Sequence, residues 1–160
     1  MDTPAYNTCV HQWSDPLYRF ALRCFPDRED ARDAVQAAFT ALWEVRQSVP
    51  AEKAKAWLFQ VTYRKSVDAY RHQSRHTGTE ALEAQSAAPA SSHLRRTLDE
   101  ALDRLDEQSR ALVLLKDWEG YSYEEIGRIT GLGESQVKVY LHRARKTLKT
   151  YLVSVENVLS

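Results

Sequence analysis

The chain has 160 residues, 43% of them hydrophobic and 28% charged, and its 22 basic and 22 acidic side chains cancel. That size and mix fit one medium domain or two small ones with packed cores, and they exclude a disordered, collagenous or disulfide-framed chain. No apolar run reaches the length of a membrane span, and the start, MDTPAYNTCVHQW, lacks the basic and apolar segments of a signal peptide.

Two cysteines without CxxC spacing fit the reducing cytoplasm. Cys9, His11 and Cys24 lack an evident fourth metal ligand, so packed thiols are expected, with no metal and no cofactor. The zero net charge hides segregation. Residues 27–44 carry Asp27, Glu29, Asp30, Asp33 and Glu44 against Arg28 and Arg32. Residues 53–76 carry Lys53, Lys55, Arg64, Lys65, Arg71 and Arg75 against Asp68. Separate acidic and basic surfaces suit one protein partner and one polyanion partner.

In chain order, Asp15-Pro16 has the form of a helix start, an N-cap followed by proline. Leu17, Tyr18, Ala21, Leu22 and Phe25 give that helix its apolar face, and Pro26 ends it. Asp27-Arg28-Glu29-Asp30 opens a second helix with acids at the positive end of the dipole. Val35, Ala38, Phe39 and Leu42 form its stripe, and the segment from Gln47 to Pro50 breaks it. A third helix is expected from about Glu52 to His72, with Trp57, Leu58, Val61 and Val67 inward. Its aromatics, Trp57, Phe59, Tyr63 and Tyr70, alternate with Lys53, Lys55, Arg64, Lys65 and Arg71. Rings among cations suit single-stranded nucleic acid, whose bases stack while its phosphates pair; a plain core role for the rings competes with that reading. With no β-alternation, this half is expected to be a helical bundle.

Residues 77–93, TGTEALEAQSAAPASSH, are poor in large apolar side chains and read as a linker. Fully extended, such a segment spans about 55–60 Å. From Leu94 a second domain begins, with a stripe of Leu98, Leu102 and Leu105. A further helix from Gln108 to Trp118 carries Ala111, Leu112 and Leu115, and Glu119-Gly120 ends it.

The last stretch is the most informative. Ser122 and Glu125 make a capping box for a helix over 123–130. Gly131-Leu132-Gly133 stops it, and a longer helix starts near Glu134 or Ser135. Gly127, Gly131 and Val137 have the spacing of a helix-turn-helix, with Val137 plugging the angle between the helices. The second helix buries Val137, Leu141, Ala144 and Leu148. Its other face offers Ser135, Gln136, Lys138, Val139, His142, Arg143, Lys146 and Lys149. A basic, hydrogen-bonding face on that helix is what major-groove reading requires. No Ser/His/Asp set, GxGxxG, Walker or HExxH motif occurs, so no active site is expected and the chain does not read as an enzyme.

Three collinear blocks carry a resemblance: DPLYRFALRCFPDREDARDAVQAAFTALWE, AWLFQVTYRKSVDAYR and LLKDWEGYSYEEIGRITGLGESQVKVYLHRARKTL. Together they resemble bacterial RNA polymerase sigma factors of the extracytoplasmic-function (ECF) subgroup of the sigma-70 family. The resemblance implies an all-α chain of two small helical domains: region 2 over residues 1–76, a flexible linker over 77–93, and region 4 over 94–160. It implies that Asp30, Asp33, Gln36, Phe39 and Trp43 dock on the β′ clamp helices of core polymerase, while the second domain meets the β flap. Residues 47–55 then look like the loop that captures a flipped promoter base. Lys53, Lys55, Trp57, Tyr63, Arg64, Lys65 and Arg71 line the −10 element, and Ser135, Gln136, Lys138, Val139, His142, Arg143 and Lys146 face the −35 duplex. Arg64 stands where the family favours Asn, and Arg32, Ala37 and Ala38 also depart from its pattern. The resemblance implies, besides core polymerase and promoter DNA, an anti-sigma factor as partner. A response-regulator-like helix-turn-helix protein would share the last block, but residues 1–76 show no strand pattern for a receiver domain. A protein that merely sequesters polymerase would not need the basic second helix.

Overall fold

The structure, a computed structural model, describes residues 1–75 and 93–159, and within these the side chains of 1–71 and 93–156. Apart from His93, the expected linker lies outside the described residues. Every regular element among them is helical: α1 (Thr3–Cys24), α2 (Arg28–Val45), a 3-10 turn (Ala51–Lys53), α3 (Ala54–Arg75), α4 (His93–Asp103), α5 (Glu107–Val113) continuing as a π-helical turn (Leu114–Trp118), α6 (Tyr123–Thr130) and α7 (Glu134–Leu159). None of these helices is long and apolar enough to cross a membrane.

The expected start at Asp15-Pro16 is overturned. α1 begins thirteen residues earlier, where Asp2 accepts from the Ala5 N–H at 2.9 Å and Pro4 occupies the first turn, so Pro16 lies inside the helix. An internal proline forfeits one ladder bond and crowds the preceding turn. Here burial of Cys9, with Tyr6 and Trp13 packed on the core, carries the helix through that defect. α2 begins as expected, capped by Asp27 onto the Glu29 N–H, and buries Ala31, Ala34, Val35, Ala38 and Leu42.

α3 departs more from expectation. Of Trp57, Leu58, Val61 and Val67, only Leu58 is fully buried; the others are half-buried. Ala54, Phe59, Thr62, Tyr63 and Ser66 are buried as well. The reason is that α3 is covered from two sides, by α1 and α2 on one and by α5 and α6 on the other.

In the second half, Asp106 caps α5 by accepting from the Ser109 N–H at 2.7 Å. Arg110 is 5% exposed and closes the end of α4: its Nε donates to the Leu102 carbonyl at 3.1 Å and its Nη2 to the Leu105 carbonyl at 3.0 Å. The Leu102 carbonyl also accepts from the Leu105 N–H at 3.0 Å, so Arg110 is a second donor there and supplies the Leu105 carbonyl beyond the helix end. Its Nη1 donates to the Tyr70 hydroxyl across the boundary between the halves.

That boundary is closely packed, and one apolar core runs through it. The Phe59 ring has Phe20 at 5.2 Å within its own half and Tyr121 at 5.4 Å from the other. Gln60 Nε2 donates to the Arg128 carbonyl at 3.0 Å. Arg19 pairs with Glu119 at 3.2 Å, and Arg23 with Asp99 at 3.3 Å.

Candidate nucleic-acid and polymerase interfaces

The helix-turn-helix forms as its residues dictate. Ser122 Oγ accepts from the Glu125 N–H at 3.1 Å, and Glu125 Oε1 accepts from the Ser122 N–H at 3.0 Å. That bond from the Ser122 backbone holds the Glu125 carboxyl below its ordinary range. Capping of this kind stabilises a helix by about 0.5–2 kcal/mol. Gly131 ends α6 at φ 82°, in the left-handed region. Gly127 is required by a close backbone approach. A Cβ there would meet the carbonyl oxygen of Leu132 at 2.8 Å, so the close approach is to the turn rather than to the second helix. Val137 is wholly buried between α6 and α7, and Leu141 and Ala144 continue that face.

On the opposite face of α7, Ser135, Gln136, Lys138, Val139, His142, Arg143 and Lys146 are all exposed. Two of them have local roles. Gln136 Oε1 accepts from the Gly133 N–H at 2.9 Å, which holds the turn. Lys138 Nζ lies 3.6 Å from Glu134 and 5.3 Å from the Tyr123 ring centre. Lys116 Nζ approaches the same ring to 4.4 Å, a neighbour that sequence reading missed because the turn between α5 and α6 brings it there. Arg145, also on α7, is held by Asp117 at 2.6 Å; that hydrogen bond raises its pKa.

The residues expected along the −10 surface do not form one open row. Lys53, Arg64, Lys65 and Arg71 are exposed and Trp57 is half-buried. Tyr63 is 6% exposed in the core, so in this arrangement its ring is not open to a base. Lys55 is half-buried, its Nζ 4.8 Å from the Trp13 ring centre and 4.3 Å from that of Tyr121. Trp13 and Tyr121 come from remote parts of the chain, and no sequence signal joins them to Lys55.

On α2, Asp30, Asp33 and Gln36 are exposed, Phe39 is half-buried and Trp43 is 38% exposed. Gln36, Phe39 and Trp43 follow one helix face. Two unforeseen residues brace it. The Tyr6 hydroxyl donates to the Phe39 carbonyl at 2.8 Å, with its ring 5.0 Å from Trp43. The Arg46 guanidinium stacks 3.7 Å from the Trp43 ring centre and donates to the Trp43 carbonyl at 2.7 Å. The result is a rigid aromatic-cation patch beside an acidic helix start. Cys9 and Cys24 are free and buried, and burial pushes the Cys24 thiol up to about 12, which keeps it protonated and unreactive. No cluster of metal-ligating side chains occurs among the described residues.

A bundle bearing an acidic-aromatic helix is thus packed on a helix-turn-helix whose second helix exposes a basic face. The sigma-70 region 2 profile matches residues 9–76, and the sigma-70 region 4 profile matches residues 95–148. The ECF RNA polymerase sigma factor SigE of Mycolicibacterium smegmatis is 32% identical over 93% of this chain and 62% of its own length. The RNA polymerase sigma factor SigV of Bacillus subtilis is 30% identical over 91% of this chain and 89% of its own. The chain therefore spans less than two thirds of the first relative and most of the second. It belongs to the ECF sigma factors of the sigma-70 family. In fold it is similar to the sigma factor RpoE of Bartonella quintana, solved with the anti-sigma factor NepR: the TM-score is 0.81 at 24% identity, over 92% of this chain and 96% of that one. It is also similar to CnrH, solved with the cytosolic domain of CnrY, at a TM-score of 0.74 and 24% identity over 96% of this chain and 90% of that one.

Proposed function

We propose that the chain binds core RNA polymerase through α2 and directs it to promoters, reading −35 duplex with α7 and holding the −10 single strand along α3. The observation that carries this is the exposed face of α7, running from Gln136 to Lys146 opposite buried Val137, Leu141 and Ala144 at helix-turn-helix spacing. Residues 1–76 serve the polymerase and the −10 element, 77–93 join the halves, and 94–160 serve the −35 element. Stacking on aromatics contributes about 1–3 kcal/mol per base, which offsets the few kcal/mol of unstacking that base capture costs. No cofactor enters this scheme. An anti-sigma factor is the regulating partner; the RpoE neighbour solved with one supports that class. The test is co-elution of the purified chain with core polymerase and transcripts that start at a defined promoter. Failure of both overturns the proposal.

Two expected outcomes bear on its parts. Asp33 and Gln36 lie at i and i+3 near the acidic start of α2, and both are exposed. Asp33→Arg reverses a charge in the proposed polymerase contact and is expected to weaken co-elution by about tenfold. The −35 duplex affinity should be unchanged. Unaltered co-elution would reduce the acidic block to a solvated helix end.

Arg64 is exposed on α3, seven residues and two turns past Trp57. An Asn amide both donates and accepts, whereas Arg only donates. If Arg64 reads a base, Arg64→Asn shifts the preferred −10 base, with discrimination changing by about 1–3 kcal/mol. A phosphate contact instead predicts uniform weakening and a salt slope lower by about one. We expect the shift in preference; transcription of a −10 library at two salt concentrations decides, and an unchanged profile removes the base-reading role.

A further inference from the structure

Val139 is an apolar side chain in a polar place. It is 46% exposed near the start of α7, and its neighbours one turn away on that helix are Ser135, Gln136, His142 and Arg143, all exposed. The helix buries its other apolar side chains here, Val137 and Leu141, on the opposite face. A single exposed valine is ordinary on a protein surface. The side chain beside it gives this one a meaning.

Gln136 precedes Val139 by three residues, on the same strip of helix. Its Oε1 accepts from the Gly133 N–H at 2.9 Å, and no hydrogen bond engages its Nε2 among the described residues. The tether fixes the side chain before any partner arrives, which spares ordering entropy on binding. It also limits how Gln136 can meet a base. The bidentate pair with adenine uses the amide oxygen and nitrogen together. With its oxygen engaged at the turn, Gln136 meets DNA as a donor. A donor alone finds acceptors on guanine, adenine and thymine alike. Val139 adds an apolar surface next to that donor, and thymine is the one base whose major-groove edge carries both an acceptor, O4, and a methyl group.

We propose that Gln136 and Val139 together read a thymine of the −35 element, with Gln136 Nε2 donating to O4 and the Val139 isopropyl group packing on the C5 methyl. The inference rests on the −35 role proposed for α7 and adds the base. Arg143 lies one turn beyond Val139 on the same strip, and a guanidinium suits guanine. Side chains one turn apart stand about 5–6 Å from each other, and bases of one strand about 3.4 Å. The thymine therefore falls within about two base pairs of the guanine that Arg143 meets.

The test uses the full chain with core RNA polymerase and a promoter library randomised over the −35 element. Sequencing of the bound fragments gives the preferred element. Each thymine in it, on either strand, is then replaced in turn by uracil, which lacks only the methyl. At one position uracil is expected to weaken wild-type binding about three- to fourfold, the effect of one buried methyl, and to leave Val139→Ala unmoved. Gln136→Glu keeps an oxygen for the Gly133 N–H and turns the free donor into an acceptor. At that same position its preference is expected to move from thymine to cytosine, whose N4 donates, by at least about fivefold. For this variant 5-methylcytosine should bind better than cytosine, because Val139 still meets a methyl. Both substituted positions are exposed, so neither change opens the core. Uracil without effect at every position, or with equal effect on wild type and Val139→Ala, overturns the thymine reading. So does a Gln136→Glu variant that binds all four bases in the wild-type order. Bound fragments with no preferred −35 sequence at all would overturn the −35 role of α7 as well.

Discussion

Replacing Arg110 with methionine is expected to lower the unfolding free energy by about 2–4 kcal/mol. The guanidinium is buried and donates to the Leu102 and Leu105 carbonyls and to the Tyr70 hydroxyl. Methionine fills a similar volume but donates nothing, so the buried Leu105 carbonyl loses its guanidinium donor while the Leu102 carbonyl keeps the Leu105 N–H at 3.0 Å. Removing a buried charge recovers some desolvation free energy, which is why the loss stays below the sum of three charge-assisted bonds. Lysine should rescue little, because a single ammonium lacks the planar fork that reaches two carbonyls at once. Urea titration of the wild type, Arg110→Met and Arg110→Lys measures this. A change below about 1 kcal/mol for methionine, the size of an ordinary surface substitution, would show that the Arg110 bonds contribute nothing beyond exposed ones.

The sequence is legible where the physics is local. Ser122 and Glu125 specify a capping box from four consecutive residues, and Gly131 specifies a left-handed stop by its own lack of a Cβ; both appear as expected. Asp27 starts α2 for the same reason. The start of α1 was misread because the same grammar occurs twice, as Asp2-Thr3-Pro4 and as Asp15-Pro16. Only packing of Tyr6, Cys9 and Trp13 against the bundle decides between them.

α3 was legible in length but not in burial. Periodicity says which residues share a helix face, not how many faces are covered. A single stripe through Trp57, Leu58 and Val61 is what one covered face would need. Coverage from a second side turns Phe59 and Tyr63 inward, and the covering residues lie far along the chain: Tyr121 is 62 positions beyond Phe59 and Glu119 is 100 beyond Arg19. Charge patterning marked acidic and basic segments correctly, but nothing in it pairs Arg23 with Asp99 or Arg145 with Asp117. The exposed face of α7 was legible because the helix keeps a single buried stripe although α4, α5 and α6 all contact it, and Val137, Leu141 and Ala144 mark that stripe without tertiary knowledge.

That face supports the largest functional effect expected. Arg143→Ala should reduce promoter-directed initiation at least about tenfold, the equivalent of 1.4 kcal/mol and within the 1–3 kcal/mol of one base contact. Co-elution with core polymerase should be unchanged. Arg143 is exposed, and no ion pair or side-chain hydrogen bond engages its guanidinium among the described residues. It is therefore available to a guanine edge without first breaking an internal bond. Arg145, two residues on, is the matched control. Its guanidinium is engaged by Asp117 through two hydrogen bonds, at 3.1 and 2.6 Å. With both partners of that pair partly exposed, Arg145→Ala should cost under about 1 kcal/mol of stability and little initiation. A basic helix acting only by net charge would lose equally from either substitution, since each removes one positive charge from α7. The difference between the two variants thus separates base reading from charge. Duplex binding measured on the correct and on a scrambled −35 sequence completes the test: Arg143→Ala should lose affinity for the correct sequence and little for the scrambled one. Equal losses on both sequences, or equal losses from Arg143→Ala and Arg145→Ala, would remove Arg143 from the reading face.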